Sequence, residues 1–233
     1  MPATDSRPLA ITALALLLLL AWDASGGDLW LARLAGGATG FPWREDFWLT
    51  EVLHRGGKAL GWAVWFGLLL QLRWPRGVLR RLTPGERWQL VLSALAGVAA
   101  VALLKHFSQT SCPWDLAGFG GRATHISHWL WGMRDGGPGH CFPAGHASVG
   151  FAFVGGWFAL RRHAPRAAAA WLAAALLTGL VLGISQQLRG AHFFSHTLWS
   201  AWVCWLAGWA CDLARRALIR TRQMPIDTKL NTP

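Results

Sequence analysis

Tyrosine is absent from this 233-residue chain, and charge is scarce: 14% of residues are Asp, Glu, Lys or Arg. A soluble domain carries roughly a quarter, so a surface of ordinary aqueous polarity is excluded. The apolar residues fall instead in blocks of roughly 15 to 24, close to bilayer-spanning length. The apolar runs do not alternate, which excludes strands, and they are rich in Ala and Leu, which favour helix.

Acidic residues are also few, 11 against 22 Lys and Arg, for a formal net charge of +11. A nucleic-acid partner would need those basic residues along one face, with aromatics or a recognised motif among them. They gather between the apolar blocks, so the expected partner is a lipid bilayer and not nucleic acid. The chain has 17 Trp, and Trp22, Trp74, Trp88 and Trp199 stand at block ends, where an indole ring is favoured at headgroup level. No small-x-small cleavage site follows the first block, Leu9 to Trp22, which therefore reads as a retained anchor. There is no fixed-period repeat, and the tract "AAAAWLAAALL" is simply helix.

The blocks predict an all-α polytopic membrane bundle of six transmembrane helices, near residues 9–24, 52–73, 88–107, 146–161, 167–188 and 194–214. They form one domain over residues 1–217, with 218–233 as a cytoplasmic tail. Most Lys and Arg flank the ends that share a side with the N-terminus, the 74–87 loop, the 161–166 loop and the tail, Lys229 included. The positive-inside rule makes that side, and both termini, cytoplasmic. Segment 25–51 reads as a short amphipathic piece at the outer interface. The outward loop 108–145 is too long for a mere connector.

Three polar groups interrupt this pattern, and ionisable residues near membrane depth usually mark a site. "KHFSQTSCP" (105–113) leaves the third helix, "PAGH" (143–146) enters the fourth, and "SQQLRGAHFFSH" (185–196) crosses the last turn. Pro143, Ala144 and Gly145 suit a tight turn into a helix whose first amides would face an anion. Gln186, Arg189, His192 and His196 recur at spacings of three, three and four and share a face if the helix persists. Arg189 offers a forked donor suited to phosphate oxygens.

These groups resemble the three motifs of the type 2 phosphatidic acid phosphatase (PAP2) superfamily, over about residues 88–214. That family has Lys, six residues and Arg-Pro; Pro-Ser-Gly-His; and Ser-Arg, five residues, His, three residues and Asp. Here Lys105 is followed after six residues by Cys112-Pro113, Pro143-Ala144-Gly145-His146 has Ala for Ser, and Ser185-Gln186 precedes His192 and His196 at the family spacing. Cys112 and Gln186 replace arginines, and His196 replaces Asp.

The resemblance implies a lipid phosphatase of the bacterial inner membrane, working at the periplasmic face on a phosphomonoester or diphosphate. His192 would be the nucleophile, passing through a phosphohistidine, and His146 would protonate the leaving oxygen. Lys105, Arg189, Gly145 and Gln186 would bind the phosphate, with Arg122 or Arg134 as further loop cations. His196 would orient His192, and Asp115 or Asp135 would supply the missing carboxylate. No cofactor or metal is implied. Cys112 and Cys141 share the outward side, where an oxidising compartment would join them as a disulfide, with two buried thiols as the alternative. Open readings are a phosphotransferase using the same site, a haem-binding electron carrier, and a metal site built from His125, His128, His192 and His196. The lipid and the oligomeric state stay open.

Overall fold

The computed structural model describes residues 6–223. Among these the chain is helical, with two isolated bridges and no strand. The long helices are α1 (Arg7–Ala24), α3 (Gly57–Arg73), α4 (Pro84–Phe107), α7 (Pro165–Leu188) and α8 (Phe194–Gln223). A short α2 (Gly27–Ala35) follows α1. The expected fourth span is a broken helix, α5 (Ser148–Phe151) and α6 (Gly155–Leu160), joined by a 3-10 turn at Ala152–Val154. Three helices, α1, α4 and α7, are long and apolar enough to cross a membrane.

Local chemistry sets the boundaries. Pro84 opens α4 behind Thr83, whose hydroxyl accepts from the Glu86 amide at 3.3 Å while Glu86 accepts from Thr83 N at 2.9 Å, a reciprocal capping box. Pro165 opens α7 in the same way, in a position where its missing N–H costs nothing. α8 runs to Gln223, so the first residues of the expected tail are helical. The rest of that tail, including Lys229, lies outside the described residues.

α4 and α8 are neighbours at the centre, with α5, α6 and α7 packed around them. Phe151, Val154, Phe158, Val101 and Trp205 fill the core between these helices. Close approach depends on glycine: a Cβ on Gly208 would meet the Gly155 Cα at 2.9 Å, so α6 and α8 touch through their backbones. Outward faces stay apolar, as at Leu14, Leu17, Leu103 and Leu177, which suits contact with lipid.

One element was not expected. Residues Trp48–Gly56 form a π-helical stretch that runs directly into α3. It straddles the expected boundary between the interfacial segment 25–51 and the span 52–73, and it packs against α7.

Candidate active site

All three polar groups meet at one end of the bundle. Lys105 occupies the last turn of α4, where a helix C-terminus favours a cation. His146 lies in the turn 143–147 and not in the helix, which starts only at Ser148. α7 stops at Leu188, so Gln186, Arg189, His192 and His196 do not share one continuous helical face. The chain reverses through Gly190 at φ +76, and a Cβ there would also strike the Phe41 ring. α8 then restarts at Phe194, with Asp28 accepting from both the Ser195 amide, at 2.9 Å, and the Ser195 hydroxyl.

A cavity of about 520 Å³ opens between these ends. Lys105, Gly145, His146, Gln186, Arg189 and His192 all line it. Two residues without a role in the sequence reading join them, His54 from the π-helical stretch and Lys58 from α3. They stand four apart in "HRGGK", a one-face spacing that could have flagged them. Arg122 and Arg134 are exposed and take no part in the lining. The remaining wall is apolar, with Trp62, Trp65, Leu95, Val98 and Val149.

Hydrogen bonds fix the donors. Arg189 donates from Nη1 to Gln186 Oε1 at 3.1 Å and from Nε to the Arg44 carbonyl at 2.9 Å. Gln186, standing where an arginine was expected, thus aims Arg189. His146 Nε2 lies 3.0 Å from the Leu53 carbonyl, which assigns the proton to Nε2 and leaves Nδ1 for proton exchange. Its ring sits 4.4 Å from that of His54. Burial, reinforced by His54, Arg189 and Lys58 and opposed by the Leu53 carbonyl, pushes the His146 imidazole down to about 4. His192 is pushed well below its ordinary value by burial and by Lys105. Both rings are therefore neutral while no anion is bound.

His192 Nδ1 faces Cys141, 3.5 Å from its sulfur and in reach of its backbone. Nε2 is thereby left to the cavity. Cys141 is itself held by a disulfide to Cys112, with the Cα atoms 5.2 Å apart. The bond ties the outward loop to the motif turn.

The carboxylates expected beside His192 are used elsewhere. Asp115 caps its own turn by accepting from Cys112 N at 3.2 Å, and burial pushes its carboxyl up. Asp135 accepts from the Ser111 hydroxyl at 2.7 Å and from Gly137 N at 3.0 Å. Neither hydrogen-bonds His192 or His196. His196 lies behind His192, with ring centroids 5.7 Å apart, and lines a second cavity of about 110 Å³.

The four-histidine metal arrangement does not form. Among the described residues, the group with three potential ligand atoms within 4.8 Å is Cys112, Cys141 and His192, and its sulfurs are already joined to each other.

Compared with known proteins, residues 86–220, more than half of the chain, match the family model described as the PAP2 superfamily. No curated protein and no solved structure matches.

Proposed function

Because this chain belongs to the PAP2 superfamily, whose members are phosphatases, we propose that it is a membrane phosphatase that cleaves a lipid phosphomonoester or diphosphate through a phosphohistidine. The observation that carries this reading is one cavity: three imidazoles, His54, His146 and His192, and three cations, Lys58, Lys105 and Arg189, share it with an apolar wall. Among the described residues, no carboxylate lines it. Such a set binds a tetrahedral anion that carries an apolar tail.

Phosphoryl transfer needs an in-line nucleophile, charge around the equatorial oxygens and a proton for the leaving group. Nε2 of His192 attacks phosphorus as the ester P–O bond breaks. The departing oxygen takes a proton from Nδ1 of His146. The entering dianion raises the His146 pKa enough to load that proton. Water, deprotonated by the same nitrogen, then cleaves the N–P bond and releases phosphate. Lys105 and Arg189 hold the oxygens throughout.

The reading places six helical passes in a bacterial inner membrane, with both termini cytoplasmic and the cavity at the periplasmic face. Arg73 and Arg215 lie away from the cavity end of α3 and α8, and Arg161 follows the end of α6, which supports that orientation.

The test is phosphate release by purified protein from phosphatidic acid, phosphatidylglycerol phosphate, a polyprenyl diphosphate and lipid A. Wild type should hydrolyse at least one and trap acid-labile phosphate on the protein. His192→Ala should do neither. Turnover by His192→Ala would end the proposal.

A further inference from the structure

Helix α1 lies outside the residues that match the family, yet its last turn reaches the back of the active site. Asp23 sits there, with its side chain 6% exposed. Its Oδ2 accepts from His128 Nε2 at 3.2 Å, Trp129 Nε1 at 3.1 Å and Trp199 Nε1 at 3.0 Å. Its Oδ1 is buried with no hydrogen-bond partner. Across the same 110 Å³ cavity, Nδ1 of His196 is also buried and unpartnered.

With the His196 proton on Nε2, toward the Cys141 backbone, both atoms are acceptors that one water can serve, and each is costly to bury alone. Asp, Ser, Thr and His side chains line part of the cavity, and it has room for water to bridge the two atoms. The other carboxylates on its wall are engaged: Asp28 holds Ser195 and Trp22, and Asp135 holds Ser111 and Gly137. Asp23 is thus the one of the three with an oxygen to spare. His128, stacked on Phe142 at 4.2 Å and edge-on to His196 at 5.9 Å, closes the gap between them.

We propose that Asp23 is a positioning residue for the nucleophile, acting through His196. Water in the small cavity donates to its free oxygen and to Nδ1 of His196 and so links the two. The ring of His196 is then locked behind His192, with a negative charge across the small cavity. His192 gains positive charge when its Nε2 bonds phosphorus, and a carboxylate buried behind it stabilises that charge. His196 is also faced by His192, His128, Lys105 and the Cys141 backbone, so Asp23 offsets the Lys105 charge. The inference rests on His192 being the phosphoryl acceptor.

A double-mutant cycle tests it, with p-nitrophenyl phosphate and the best lipid substrate as probes. Asp23→Asn should lower kcat about 30-fold with little change in KM, within the 10- to 100-fold range of outer-shell partners. His196→Asp places a carboxylate directly behind His192 and should make Asp23 dispensable. In that background Asp23→Asn should cost less than about threefold, because the two sites no longer act independently. Thermal unfolding of each variant shows whether it is folded. Equal losses in both backgrounds would mark Asp23 as merely structural and overturn the inference. So would an inactive His196→Asp that is folded, or undiminished turnover by Asp23→Asn. Absence of phosphate release by wild type from any probe is a different failure, which removes the proposed function and this inference with it.

Discussion

Where α4 begins and α8 ends, Glu86 and Asp212 are buried among Arg161, His163, Arg215 and Arg216. At the opposite end Lys58, Lys105 and Arg189 face histidines across a cavity that no carboxylate among the described residues lines. At the first end every buried carboxylate is met. Glu86 lies 2.9 Å from His163 and 3.6 Å from Arg215, and Asp212 lies 3.6 Å from Arg161 and 3.8 Å from Arg215. Gln89 bridges the two by accepting from Arg215 at 2.6 Å and donating to Asp212 at 3.4 Å. Charge closed on itself fastens helices together. Charge left open at the other end waits for an anion that the fold does not supply.

The strongest way to break this comparison is Asp212→Ala. It removes the buried carboxylate that three guanidinium groups share and should cost about 3–5 kcal/mol, read as a lower Tm in detergent, with turnover per folded molecule unchanged. Loss of turnover would show that the two ends are coupled. Next, replacing both Cys112 and Cys141 by Ser opens a loop of 29-residue separation, for which chain entropy predicts a loss of roughly 3–4 kcal/mol. Mass spectrometry with and without reductant verifies the bond first.

Acidification should act on the open end. The unfolded His146 titrates near 6.5 and the folded one at about 4. Between those values the unfolded chain binds a proton that the folded one refuses, so stability is complete above pH 6.5 and falls as pH drops toward 4. The gap corresponds to about 3 kcal/mol at most. Urea titrations at pH 7 and pH 4.5 should show the loss, and His146→Gln should reduce it. His192 shifts in the same direction and adds to the slope. The smallest effect is Lys105→Ala, which should lower kcat/KM about 100-fold, roughly 2.7 kcal/mol of transition-state stabilisation. Its Tm should not fall, because no ion pair of the described residues is lost.

Much of this was legible in the sequence. Apolar blocks located the long helices because burial in lipid demands an unbroken run, and the motif residues carried their spacing into space. The Cys112–Cys141 pairing followed from shared sidedness. What stayed hidden depends on contacts between distant segments. Asp23 sits 105 residues from its His128 partner, and no local pattern reports that. His54 and Lys58 gain meaning only from a π-helical stretch packed on α7. Asp115 and Asp135 looked available as isolated letters, but turn and loop amides had already claimed them.

That π-helical stretch also acts as a phase setting. Each residue of an α-helix advances the chain by about 100°, so deleting one residue between Trp48 and Gly56 would turn everything downstream by that angle. Lys58 would swing toward lipid, Trp62 and Trp65 would leave the cavity wall, and the Leu53 carbonyl would no longer meet His146. Segment length here is therefore a dial on catalytic geometry, one that tolerates changed letters far better than a changed count.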